Sequence, residues 1–151
     1  MQRDKGKRPS AKRIVLLAIT LLMLAFIFLQ SVLPTAVSAD ESGWLTERVL
    51  NPLLKWVGLE PLPQHVVRKA AHILEFAVFS ALLTLCFRGN PVKSFGAGFA
   101  AAFLDESIQL LSDRGASLTD VWIDLIGVTL GTLLGVLIRK AVVTHRKRKQ
   151  S

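Results

Sequence analysis

The feature that most constrains this chain is a run from residue 14 to residue 33, IVLLAITLLMLAFIFLQSVL, in which no side chain is ionisable. About 20 mainly apolar residues in a helix cross the hydrocarbon core of a bilayer, and a helix satisfies every backbone polar group within the segment itself. Three further stretches approach the same requirement, at residues 66–87, 92–111 and 121–143, although the second and third spans carry ionisable residues. Hydrophobic residues make up 51% of the 151 residues and charged residues only 20%, a balance suited to lipid rather than water as the main solvent. The expected fold is an all-α membrane protein, a bundle of four transmembrane helices with an interfacial helix in the first extracytoplasmic loop. It divides into a basic N-terminal segment (1–13), a first span (14–33), a loop (34–65), a three-helix core (66–143) and a basic tail (144–151).

The net charge of +8 is concentrated at the ends of the spans. Arg3, Lys5, Lys7, Arg8, Lys12 and Arg13 precede the first span, and Arg139, Lys140, Arg146, Lys147, Arg148 and Lys149 close or follow the fourth. With four spans both termini share one side, and the loop between spans two and three adds Arg88 and Lys93 to it. The positive-inside rule makes that side cytoplasmic in a multi-pass protein of the cell membrane. The basic tails lack interleaved aromatics and flank spans, so attraction to anionic lipid explains them and a nucleic-acid partner does not. The first segment also resembles a signal peptide, with Val37, Ser38 and Ala39 ahead of Asp40. Its apolar run is long for one, and cleavage would leave three spans in the same orientation. The lone Cys86 cannot form an internal disulfide.

In the loop, Leu45, Val49, Leu50, Leu53, Leu54 and Val57 recur at helical spacing between Trp44 and Trp56, before Gly58, Pro61 and Pro63. Tryptophan favours the headgroup region, so this pattern fits an amphipathic helix lying on the outer interface. Packing onto the bundle as an anchor is an equally economical use.

The polar residues of the core fall at one depth. Span two enters from outside with Arg68, Lys69, His72 and Glu75 in its first turns, span three ends on Asp105, Glu106 and Gln109, and span four re-enters with Asp120 and Asp124 after a turn carrying Arg114. Arg68, His72 and Glu75 share one helix face, as do Asp105 and Gln109, and Asp120 and Asp124. Charges in a membrane are costly and turn toward one another, so a hydrated polar cluster at the outer end is expected. In it Arg68 or Lys69 with Arg114 opposes Glu75, Asp105 and Asp120. A purely structural ion pair is the plain alternative. Adjacent helical residues point about 100° apart, so Asp105, on the face of Gln109, is expected to serve the cluster more directly than Glu106. Gly127, Gly131 and Gly135 on span four, with Gly96, Ala97, Gly98, Ala100, Ala101 and Ala102 on span three, predict close contact between those two spans.

The ordered combination Lys69-x-x-His72-x-x-Glu75-Phe76, then Asp105-Glu106-x-x-Gln109, then Arg114 followed by Asp120-x-x-x-Asp124-x-x-Gly127, resembles the VanZ-like family of bacterial membrane proteins over residues 66–137. That family often has Tyr where Phe76 stands, commonly Pro near Ser112 and usually Asn at the place of Asp124, departures that bear on ligand identity rather than on fold. The resemblance implies a role at the bacterial cell envelope, since the founding member is associated with low-level teicoplanin resistance.

Two functions compete. A binding protein would hold a polar headgroup, cell-wall precursor or glycopeptide antibiotic, with Arg68, Lys69 and Arg114 meeting anionic groups and Asp105, Glu106 and Gln109 accepting hydrogen bonds. A membrane hydrolase or transferase acting on a lipid-linked substrate would use His72 and Glu75 for acid/base chemistry, with Asp105, Glu106 and Asp120 able to hold a divalent cation. The sequence has no HExxH, no nucleophile beside a base and no Gly-rich phosphate loop, which favours binding. No cofactor or resident metal is implied. A transporter would need polar groups through the inner half, where the sequence offers almost none.

Overall fold

The structure, a computed structural model, describes residues 10–33, 43–44, 46–112 and 118–149. Its long helices are α1 (Ala11–Val32), α3 (Gln64–Cys86), α4 (Pro91–Leu111) and α5 (Leu118–Arg148). Between the first two lies a short helical piece, a π-helical turn (Thr46–Leu50) running into α2 (Asn51–Trp56). No strand occurs among the described residues.

Each expected span is a helix, but only α1, α3 and α5 are both long and apolar enough to cross a membrane. The four-span expectation is therefore reduced to three candidates among the described residues. Helix α4 has the length, 21 residues, but carries Lys93, Asp105 and Glu106. Helix α5 continues through the segment expected as a basic tail, to Arg148. Its 31 residues rise about 46 Å, well beyond a ~30 Å hydrocarbon core, so its basic last turns extend past the apolar layer.

Local chemistry sets the connections. Pro63 in extended conformation starts α3. Its end is a left-handed cap in which Arg88 (φ 57°) and Gly89 (φ 82°) turn the chain and the Gly89 N–H donates to the Thr84 carbonyl at 2.8 Å. Asn90 then accepts from the Lys93 N–H at 3.1 Å, and Pro91 occupies the first turn of α4, so the next helix begins at once. α3 and α4 are antiparallel, as are α4 and α5. It follows that α3 and α5 run parallel.

That parallel pair is the most extensive contact in the bundle. The glycine stripe of α5 makes it possible. A Cβ on Gly127 would overlap the Ile73 carbonyl, one on Gly131 would overlap the Ala77 carbonyl, and one on Gly135 would stand 2.6 Å from Thr84 Cβ. The stripe therefore serves α3, and the expectation that it packs on the third span is corrected. Small-xxx-small spacing marks a face where backbones approach, but it does not name the partner. Gly98 of α4 does meet α5, since a Cβ there would lie 2.7 Å from Val128 and 2.9 Å from the Ser80 hydroxyl. Around a Cβ on Gly96 there is open space.

Helix α1 lies against α3 and α4 and buries Thr20, Ile27 and Ser31, residues spaced seven and four apart on one face. The core is Ile27, Phe76, Phe79, Ala101, Ala102 and Val128, flanked by Met23, Leu24, Phe28 and Leu83. Leu17, Leu22, Leu29, Leu130 and Leu134 are exposed, as lipid-facing residues would be.

The basic half of the bundle buries hydroxyls that the sequence reading passed over. Thr84 donates to the Ser80 carbonyl at 2.7 Å and Ser94 to the Asn90 carbonyl at 2.7 Å, while Ser80 and Thr132 are buried too. They are small residues at helix contacts. Every buried charged side chain among the described residues (Asp105, Glu106 and Asp124) lies instead at the opposite, acidic end.

Candidate functional site

Parallel packing of α3 and α5 carries its register upward into the acidic end. The glycines set Ile73 beside Gly127 and Ala77 beside Gly131. Toward the start of both helices His72 Nδ1 faces Asp124 Oδ1 at 3.7 Å, and about one turn beyond that Lys69 Nζ meets Asp120 Oδ1 at 3.4 Å. Backbone contact at the glycines thus aligns a lysine–aspartate pair and a histidine–aspartate pair as rungs between the helices.

The rungs differ in burial. The Lys69 and Asp120 side chains are 45% and 40% exposed, whereas His72 is 25% exposed and Asp124 only 3%. The site is therefore graded, from a solvated ion pair at its rim to a buried carboxylate at its floor. Phe76 and Val128, fully buried, lie beneath it.

Helix α4 supplies the third wall. Asp105 is fully buried, and its two oxygens accept from different elements, Oδ1 from the Ser31 hydroxyl of α1 and Oδ2 from Gln109 Nε2 at 2.8 Å, one turn away on α4. Glu106 is buried as well, at 7% exposure. Burial is thus shared by both acids, while Asp105 is the one whose carboxylate stands close to His72 and Asp124. What singles out Asp105 is its hydrogen bonds to α1 and to Gln109.

Among the sequence-derived residues, Lys69, His72, Asp120 and Asp124 meet across α3 and α5, and Asp105 and Gln109 meet on α4. Arg68, four residues before His72, and Glu75, three residues after it, are half-buried on α3. Arg114 lies outside the described residues. Ser31 was missed, because it sits in a run read for its near-purely apolar character and its lack of ionisable groups. The only signal was the polar dipeptide Gln30-Ser31 near the end of that run.

The metal-competent grouping also differs from the expected Asp105, Glu106 and Asp120. His72, Asp105 and Asp124 each offer one donor atom, and the three atoms lie within 4.8 Å of one another. Asp120 is drawn instead to Lys69 at the rim.

Helices of this length and apolarity, with the buried charged side chains of the described residues gathered at one end of the bundle, mark a membrane protein with a terminal polar cluster. The VanZ/LLP1 family profile matches residues 15–139, and the chain belongs to that family. The match reaches beyond the motif-bearing 66–137 to take in α1, the helix that delivers Ser31 to Asp105. No curated protein and no solved structure matches the chain.

Proposed function

We propose that this VanZ/LLP1-family membrane protein binds the polar end of an amphiphile, namely a lipid headgroup, a cell-wall precursor or a glycopeptide antibiotic, in a pocket that opens to the outside of the cell. The observation that carries the proposal is the graded site. Lys69 and Asp120 stand solvated at the rim, where a headgroup bearing its own charges can exchange partners with them, while His72, Asp105 and Asp124 lie deeper, in surroundings that strengthen polar contacts. The basic helix ends support the outward orientation under the positive-inside rule, with both termini cytoplasmic. A contribution to teicoplanin resistance follows from the family resemblance and from a pocket of this chemistry.

The test is binding of teicoplanin and of a polyisoprenyl pyrophosphate to the purified protein in nanodiscs, together with teicoplanin susceptibility of a host expressing it. Saturable binding of either compound that is lost in Lys69→Met and Asp120→Asn, at unchanged membrane abundance, is the expected result. Binding indifferent to both substitutions sinks the proposal.

A second reading, a membrane-embedded hydrolase or transferase acting on a lipid-linked substrate, is favoured by one observation: an imidazole faces a buried carboxylate across 3.7 Å with a second buried carboxylate close by. Turnover of a lipid-linked pyrophosphate by the purified protein, lost in His72→Gln, would select it over simple binding.

A further inference from the structure

We propose that His72, Asp105 and Asp124 bind one divalent transition-metal ion at the floor of the pocket. The inference deepens the pocket reading above and rests on it for the route by which an ion reaches the floor.

The first ground is geometric. An N–H···O hydrogen bond places nitrogen and oxygen about 2.7 to 3.2 Å apart, and His72 Nδ1 and Asp124 Oδ1 stand at 3.7 Å, too far for one. Two donors sharing one ion are held at a longer spacing. With metal–ligand bonds of about 2.1 Å and a donor–metal–donor angle of about 110° to 125°, the donors lie roughly 3.4 to 3.7 Å apart. The observed separation falls in that range. All three donor atoms lie within 4.8 Å of one another, so even a spacing at that limit comes to roughly 3.4 to 3.7 Å with a side-chain closure of little more than about 1 Å.

The second ground is independent of that spacing. The Asp124 side chain is only 3% exposed, yet it accepts no hydrogen bond from the described residues. A buried carboxylate normally collects several donors, because its desolvation is otherwise uncompensated. Its oxygen points toward His72, within the reach of Asp105. A cation there supplies the missing partner.

The donor set indicates which cation. One imidazole nitrogen and two carboxylate oxygens suit zinc, manganese or iron better than magnesium or calcium, which favour all-oxygen shells. Three protein ligands leave a coordination position open, as at sites where a metal holds water or an oxygen of the bound molecule. The hydrogen bonds from Ser31 and Gln109 orient the Asp105 carboxylate in the manner of outer-sphere partners at metal centres. His72, 25% exposed, leaves a way in from the rim.

The experiment uses the full chain in detergent, purified without a polyhistidine tag, stripped with EDTA and titrated with Zn²⁺ by calorimetry in the absence of any amphiphile. One equivalent is expected to bind, with affinity falling at least about 100-fold in Asp124→Asn and in His72→Gln and unchanged in His145→Gln, in the last turns of α5 at the opposite end of the bundle. Binding of Co²⁺ to the wild-type protein supplies a readout that needs no variant, since a site with three protein ligands and one water gives intense visible bands that six-coordinate Co²⁺ does not. Absence of a stoichiometric equivalent, a Co²⁺ spectrum like that of the free ion, or binding preserved in both variants overturns the metal site. Amphiphile binding to EDTA-stripped protein, measured alongside, reports on the pocket reading alone. Its persistence without metal binding keeps the pocket and discards the ion, and stoichiometric metal binding without amphiphile binding does the reverse.

Discussion

Replacing Gly131 by alanine tests whether the α3–α5 contact organises the pocket. A Cβ at this position would overlap the Ala77 carbonyl oxygen and stand 2.7 Å from its carbonyl carbon and 2.8 Å from its Cα. Unbonded carbons rest about 3.5 to 4.0 Å apart, so the two helices must separate by about 1 Å, and the obstructing atoms are backbone with no rotamer to yield. Overpacking of this kind costs ~1 to 3 kcal/mol, of which the helical preference of alanine over glycine returns roughly 1 kcal/mol. The same displacement, carried two turns upward, widens the 3.7 Å gap between His72 and Asp124 toward about 4.7 Å and opens the 3.4 Å pair of Lys69 and Asp120. Gly131→Ala is therefore expected to lower the unfolding free energy by up to ~2 kcal/mol in an SDS titration of the detergent-solubilised protein, and to weaken binding at a site two turns away. Gly96→Ala is the matched control, because its Cβ meets nothing within 4 Å, and it should be neutral or stabilising by up to ~1 kcal/mol. Equal effects of the two substitutions, or full stability and full binding in Gly131→Ala, would refute the reasoning.

Three other expectations follow from the site. Ser31→Ala removes a donor from buried Asp105 and should destabilise the protein by ~1 to 3 kcal/mol, with a cost well above that of Ser107→Ala, whose hydroxyl bonds only to the Phe103 carbonyl on its own helix; denaturant titration of both variants decides. Lys69→Met should cost under ~1 kcal/mol of stability, since its pair with Asp120 is close to half exposed, while abolishing ligand binding; a large loss of stability would make the pair structural instead. A cysteine at Ser42 should react with an impermeant maleimide in intact cells, and reaction only after permeabilisation would place the loop, and with it the pocket, on the wrong side of the membrane.

Helix content was legible because the bilayer leaves few alternatives. An uncharged run such as 14–33 has one economical state, and the flanking prolines and glycines set its neighbours' limits to within a few residues. The depth of the polar groups was legible for the same reason: a rise of about 1.5 Å per residue converts sequence position into height once the spans are known. Helix α4 falls outside the candidate spans on the same criterion, because Lys93, Asp105 and Glu106 dilute its apolar character. They belong to the site. The residues that make a membrane helix useful are those that make it look least like one.

Azimuth was not legible, and azimuth decides which groups meet. Gly127, Gly131 and Gly135 announced a close face on α5, and the glycines and alanines of span three suggested α4 as its partner; the partner is α3, two helices earlier and parallel to α5. Ile73, Ala77 and Ala81 repeat along α3 at the same four-residue interval, and that complementary row was the one available hint. The consequence reaches the chemistry. Had the glycines packed on α4, Asp120 and Asp124 would have stood beside Asp105 and Glu106, with carboxylates facing carboxylates. Packing on α3 sets the two aspartates against Lys69 and His72, and α4 then brings Asp105 to the same floor from the other side, held there by Ser31 and Gln109. A stripe with no polar atoms in its side chains thus decides which polar groups meet, and it does so one to two turns from the nearest of them.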